Sequence, residues 1–212
     1  MAEYALASVL QEQRHLRLYQ QQQTQSVWAS RAPLRSNEMV VAVLVLGRMG
    51  SAVATCFAKN NFKVLGWSRT AKDLPNVDSH TGEDGLKQIL RNADYVVSVL
   101  PTTPQTRGIF NARLFENFKP TATFISMGRG DQTNESDLLQ ALDAGQLGGA
   151  ILDICANEPL PKNDPLWSHP KVQITPHVSG WRSYVVEDIA ENYRRMKANE
   201  PLLNLVDRSL GY

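Results

Sequence analysis

Six short apolar runs, separated by stretches of helical character, constrain what this chain can fold into more than any other feature. They are VVAVLV at 40–45, KVLGW at 63–67, YVVSVL at 95–100, TATFIS at 121–126, GGAILDI at 148–154 and VQIT at 172–175. Strands that alternate with helices pair in parallel, because the return path between parallel strands is long enough to hold a helix that covers the sheet. The pattern therefore predicts an α/β domain with six parallel strands and helices on both faces. Helices are expected at 48–59, 83–92, 111–117 and 134–144, the last with Asn134 as cap and Asp137 in its first turn. A final amphipathic helix is expected from Gly180 to Lys197, ending before Pro201. At the other end, Leu6, Val9, Leu10, Leu16 and Leu18 fall loosely at helical spacing, and a polar segment with Ser30, Pro33, Ser36 and Asn37 follows. The expected organisation is a docking helix and linker over 1–38, a main domain over 39–180, and a C-terminal helix and tail over 181–212.

Composition narrows the function classes. The 22 Lys and Arg against 21 Asp and Glu leave a net charge of +1, which offers no broad field for nucleic acid or an anionic membrane. The longest apolar run, VVAVLVL, falls far short of the ~20 residues a membrane helix needs, and Met1-Ala2-Glu3 opens no signal peptide. Cys56 and Cys155 lie far apart without metal-ligand spacing, so neither a metal site nor a disulfide framework is expected. These readings point to a cytoplasmic protein with a small-molecule partner.

After the first run comes Val45-Leu46-Gly47-Arg48-Met49-Gly50, opening a helix. In the dinucleotide fingerprint GxGxxG the first glycine permits the tight turn, the second admits the pyrophosphate, and the third permits close packing of the helix. Here Val45 stands first. Gly47, Arg48, Met49 and Gly50 still place free N–H groups and a positive dipole end where a diphosphate could sit. The string alone also fits a glycine-eased strand-to-helix turn, but its place after the first of six alternating strands favours a Rossmann nucleotide site. At the end of the next strand, where a ribose-reading acid belongs, the chain has Trp67-Ser68-Arg69-Thr70. Ser68 and Arg69 suit a 2′-phosphate, so NADP(H) is expected over NAD(H), with a solvated surface arginine as the alternative.

Further motifs carry a family resemblance. Leu100-Pro101-Thr102-Thr103-Pro104-Gln105-Thr106-Arg107-Gly108, Ser126-Met127-Gly128-Arg129-Gly130, Leu152-Asp153 through Glu158-Pro159-Leu160-Pro161, Pro165-Leu166-Trp167 and Thr175-Pro176-His177 occur in order. With the ending Val206-Asp207-Arg208 through Gly211-Tyr212, they resemble the D-2-hydroxyacid dehydrogenases, nearest their glyoxylate/hydroxypyruvate reductase branch. The resemblance implies hydride transfer between a nicotinamide cofactor and a 2-oxo or 2-hydroxy acid. It implies Arg129 as substrate anchor, His177 as proton donor and Glu158 as its partner. It also implies cofactor contacts at Leu100, Pro101, Thr106, Met127, Gly128 and Gly180, with Asp153 at the nicotinamide carboxamide. Each of the three catalytic candidates also has a bland reading, as a surface ion-pair partner, a solvated turn and a structural strand end. The run AEYALA resembles the family's crossover helix, so the chain corresponds to the cofactor half, with most of the N-terminal substrate lobe missing. Catalysis by this half alone, a non-catalytic dinucleotide-binding or dimerising module, and a fragment that needs a separate lobe all stay open. A homodimer is expected by the same resemblance.

Overall fold

The structure is a computed structural model, described over residues 1–180 and 186–205. The chain divides into two units, Met1–Ser179 and Gly180–Tyr212.

The first unit is built on a parallel sheet of strands β1 (Val40–Leu44), β2 (Lys63–Trp67), β3 (Val77–His80), β4 (Tyr95–Ser98), β5 (Thr123–Ser126), β6 (Gly149–Leu152) and β7 (Val172–Ile174). Their order is β3-β2-β1-β4-β5-β6-β7, so the chain runs outward in one direction, returns to the middle, and runs outward in the other. All six expected strands form. The sheet nevertheless has seven strands, because β3 adds itself beside β2 on one edge. Its sequence, VDSH, has no apolar run to betray it. An edge strand needs only one paired side and little burial, and no residue of β3 is buried.

The sheet interior follows the pleat. Ala42, Leu44, Val96, Phe124, Ala150 and Leu152 face one apolar cluster, and Val41, Val43, Val97, Ile125 and Ile151 face the other. The first cluster is closed by helix α4 (Gly82–Asn92), the single turn α5 (Ala112–Phe115) and helix α6 (Glu135–Asp143), through Leu86, Ile89, Leu90, Phe115, Leu138 and Leu142. The second is closed by helices α1 (Ala2–Gln13) and α3 (Arg48–Lys59), through Ala5, Val9, Val53, Ala54 and Phe57. Each fully buried Leu, Ile or Phe contributes about 1.5–3 kcal/mol.

The N-terminal helix differs from the expectation of a single element. It breaks into α1 and a second helix, α2 (Leu16–Thr24), at His15, whose φ of 56° lies in the left-handed region. Leu16 and Leu18 do not continue the stripe of Leu6, Val9 and Leu10. At the break Gln13 is buried instead, donating from Nε2 to Leu34 O and Ser36 Oγ and so pinning the polar linker.

In the second unit, helix α7 spans Val186–Lys197. Residues 181–185 of the expected helix and the 206–212 ending lie outside the described residues. Asn192 closes the helix onto the chain that follows it, accepting from Leu203 N and donating to Leu203 O. Among the described residues, no helix is long and apolar enough to cross a membrane.

Candidate functional site

The carboxyl ends of β1, β4, β5, β6 and β7 lie along one edge of the sheet, and the loops leaving them carry most of the predicted site residues. The order in which strands are added reverses between β1 and β4, where a parallel α/β sheet opens a crevice for ligands.

The turn after β1 shows why its glycines differ. A Cβ on Gly50 would lie 1.6 Å from Val45 O, so the helix can start this close to the strand only with glycine there. A Cβ on Gly47 would meet nothing nearer than Val45 Cγ1 at 3.6 Å. Protein packing does not require glycine at 47, and the space beside it lies open at the N-terminus of α3, where no side chain caps the free N–H groups. That open cradle fits a diphosphate. Val45, at the first fingerprint position, adopts φ 78° and is tied by its N–H to Trp67 O at 2.6 Å. The β-branched residue thus takes the backbone conformation that glycine adopts without cost. Arg48 and Met49 are exposed on the first turn.

At the end of β2, Ser68 is buried and its hydroxyl donates to Thr70 O at 2.7 Å, while Arg69 is exposed. Arg69 lines a cavity of about 520 Å³ together with Trp67, Leu86, Lys87, Ile109 and Arg113. In the loop after β4, Leu100 is buried and Thr106 folds the loop on itself, donating to Pro101 O at 2.6 Å and accepting from Thr103 N at 2.8 Å. Met127 is buried, and a Cβ on Gly128 would fall 2.7 Å from Leu100 O, so glycine lets the β4 and β5 loops touch.

Arg129 is exposed, and its Nη1 donates to Gly128 O at 2.7 Å. Two residues that sequence reasoning did not single out place it. Gln132, fully buried, accepts from Arg129 N and donates to Leu100 O at 2.8 Å, fastening the arginine's backbone to the neighbouring loop. At Gly130 a Cβ would lie 2.0 Å from Cys155 O, so glycine brings the Arg129 loop against the loop after β6. Gly130 was within reach of the sequence, since it closes the Ser126-Met127-Gly128-Arg129-Gly130 motif. Gln132 carried no signal, because its role is a buried contact between distant loops.

The loop after β6 holds Glu158, and the loop after β7 holds His177. Glu158 Oε2 lies 2.7 Å from His177 Nδ1, and Glu158 Oε1 accepts from Cys155 N at 3.1 Å. With Nδ1 so occupied, the imidazole's proton exchange falls to Nε2. Arg129 makes no hydrogen bond or ion pair with either residue, so the pair and the arginine share an edge without touching. The thiol of Cys155 is pushed up to about 11, first by burial and then by the charges of Glu135 and Glu158, which keeps it from acting as a nucleophile.

Asp153, expected at the carboxamide, is fully buried. Its Oδ1 accepts from Thr175 Oγ1 at 2.6 Å and Val178 N at 2.9 Å, and its Oδ2 from Ser179 N at 2.8 Å. Burial opposes its charge, but the hydrogen bonds from Ser179, Thr175 and Val178 outweigh it and hold the carboxyl below the ordinary aspartate range. Gly180 follows this loop as the first residue of the second unit.

The family model of the D-isomer specific 2-hydroxyacid dehydrogenases, NAD binding domain, matches residues 6–179. This chain belongs to that family. Its match covers the whole first unit save the first five residues. The D-isomer specific 2-hydroxyacid dehydrogenase of Xanthobacter autotrophicus Py2, solved in complex with NADPH and MES, is similar with a TM-score of 0.93 and 38% identity over all of this chain and 88% of that one. The NADPH-dependent glyoxylate/hydroxypyruvate reductase of Sinorhizobium meliloti, solved in complex with NADP and sulfate, gives a TM-score of 0.94 and 32% identity over all of this chain and 69% of that one. Glyoxylate/hydroxypyruvate reductase A of Photorhabdus laumondii is 41% identical across the whole chain, which spans 68% of that protein's length.

Proposed function

We propose that this dehydrogenase-family chain binds NADP(H) in preference to NAD(H) and reduces 2-oxo acids of the glyoxylate and hydroxypyruvate class. The observation that carries the reading is the Glu158–His177 pair at 2.7 Å, held at the ligand-binding edge of a family nucleotide domain. When bound, the nicotinamide cofactor supplies the hydride. The free N–H groups at Gly47, Arg48, Met49 and Gly50 receive its diphosphate. Arg69 answers the 2′-phosphate; Lys87 and Arg113 line the same cavity, each paired there with Glu83. Ser68 plays the lesser part there, since its hydroxyl hydrogen is already given to Thr70 O. Leu100, Pro101, Thr106, Met127 and Gly128 complete the cofactor's surroundings. Arg129 turns its planar fork to the carboxylate of the 2-oxo acid. His177, as the imidazolium whose Nδ1–H donates to Glu158 Oε2, gives its Nε2 proton to the carbonyl oxygen as charge develops there, and is left as the neutral ring with its hydrogen on Nδ1. Asp153 serves by fixing the backbone at 177–179, its side chain being buried. NADPH and NADP in the structures of similar proteins support the cofactor choice.

One observation favours a second reading, a dinucleotide-binding module without turnover: the His177 and Glu158 side chains are 48% and 39% exposed, which leaves the pair in water. Water weakens the electrostatic stabilisation that proton transfer relies on. Following NADPH absorbance with glyoxylate and with hydroxypyruvate separates the two. His177→Ala is expected to lower kcat about 10²–10⁴-fold; identical traces from the variant and the unaltered chain would rule out catalysis while fluorescence titration still reports NADPH binding. Exposed Val27, Trp28 and Leu34 on the N-terminal linker support pairing of two copies.

A further inference from the structure

We infer that Tyr4, on the first helix, is a positioning residue for the loop that carries His177, acting through Thr175 and the buried carboxylate of Asp153. The inference rests on reading His177 as the residue that moves the proton.

Three hydroxyl and carboxyl groups make a chain from the helix to the loop. Tyr4 Oη lies 2.6 Å from Thr175 Oγ1, and Thr175 Oγ1 lies 2.6 Å from Asp153 Oδ1. An ionised carboxylate has no hydrogen to give, so Thr175 donates to Asp153 and its oxygen is left to accept from Tyr4. Burial raises the Tyr4 hydroxyl above the ordinary phenol range, so it keeps the hydrogen this arrangement needs. Beyond the carboxylate, Val178 N and Ser179 N are held at 2.9 and 2.8 Å, and Asp153 O accepts from His177 N at 2.8 Å. His177 itself sits at φ 55°, a left-handed conformation that a residue without glycine's freedom keeps only where its surroundings impose it. The backbone N–H groups of His177, Val178 and Ser179 all donate to Asp153, that of His177 to Thr175 O as well, while the imidazole is held separately by Glu158.

The strand leading into this loop is itself weakly determined. β7 has three residues and pairs on one side only. The helices α1 and α2 supply what the ladder lacks: Gln11 donates to Gln173, Arg17 Nη2 donates to Pro170 O at 2.9 Å and Val172 O at 3.2 Å, and Tyr4 takes the end nearest His177. Of these contacts, only Tyr4 reaches a group that also holds the histidine's loop. A phenylalanine at 4 would keep the ring and remove that one hydrogen bond.

The test uses the whole chain with Tyr4→Phe, Thr175→Val and Thr175→Ser, read by amide hydrogen exchange of Val178 and Ser179 with the amides of Val41–Leu44 as internal reference, and by steady-state NADPH oxidation. Loss of one hydrogen bond between two uncharged hydroxyls corresponds to roughly 2–10-fold. Tyr4→Phe is expected to speed exchange at Val178 and Ser179 by that factor without changing the reference amides. It should also lower kcat with the KM for NADPH unchanged. Thr175→Val should do more and Thr175→Ser should restore both readouts. Unaltered exchange at Val178 and Ser179 in Tyr4→Phe, equal acceleration at the reference amides, or a kcat equal to that of the unaltered chain would each overturn the inference. Absence of turnover in the unaltered chain would count against the proposed reaction instead, with the exchange readout alone then deciding whether Tyr4 sets the loop.

Discussion

Gly47 and Gly50 stand three residues apart in one turn and are glycine for different reasons. A side chain at 50 collides with Val45 O, whereas one at 47 meets only open space on the protein side. Gly50→Ala is therefore expected to cost about 3 kcal/mol or more in a urea melt, since the obstacle is backbone that cannot swing aside. Gly47→Ala should stay within about 1 kcal/mol of the unaltered chain, since the position is only a helix N-cap, yet weaken NADPH binding at least tenfold. Equal losses of affinity from both, in proportion to stability, would place the diphosphate elsewhere. Val45→Gly belongs to the same series. Relief of left-handed strain and loss of a partly buried side chain are each about 1–2 kcal/mol, so its net effect on stability should be small. The glycine pattern was legible in the sequence, including the defect at 45. That a valine could take φ 78° there without abolishing the turn was not, because the backbone angle is set by the strand and helix on either side.

At the scale of elements, legibility followed burial. The strands of the sheet interior are continuous apolar runs because both their faces are covered, and all of these were read. β3 is an edge strand with no buried residue, so its four positions carry no pattern. Helix caps depend on a single side chain and its own neighbours, which makes them local and readable. Asn134 accepts from Asp137 N at 3.2 Å, as its spacing suggested. Asn134→Ala should destabilise the chain by about 1 kcal/mol in denaturant, because α6 carries Leu138, Ala141 and Leu142 into the core and must form for them to be buried. A change below a few tenths of a kcal/mol would mean the helix start is held by the loop before it. The break between α1 and α2 was missed because it depends on Gln13 finding Leu34 and Ser36, partners more than twenty residues away.

Over the whole molecule, one buried carboxylate joins the first helix, two strand ends and the histidine loop. Because the folded state holds the Asp153 carboxyl below its ordinary value, its contribution is present above the unfolded pKa of ~3.9 and is lost as the pH falls through the lower folded value. Thermal melts from pH 6 to pH 3 should thus show a fall in Tm that Asp153→Asn reduces. At neutral pH the same variant should cost about 2–3 kcal/mol, because an amide nitrogen would replace an oxygen that accepts from N–H groups. A variant with an unchanged acid limb would assign the acid sensitivity to other carboxylates. The amino-acid order by itself determined the alternation of strands and helices and the glycine turn after β1, since these rest on periodicity and a short motif, and its family resemblance put forward Arg129, Glu158 and His177 as candidates. Only the tertiary structure decided that Glu158 meets His177 at 2.7 Å, that Gly130 and Gln132 set the arginine's loop, and that Asp153 turns inward to Tyr4 through Thr175. Those contacts join residues as many as 171 positions apart. Hydrogen-bond partners at such separations are chosen by where the sheet and its covering helices place them, and no local pattern records that choice.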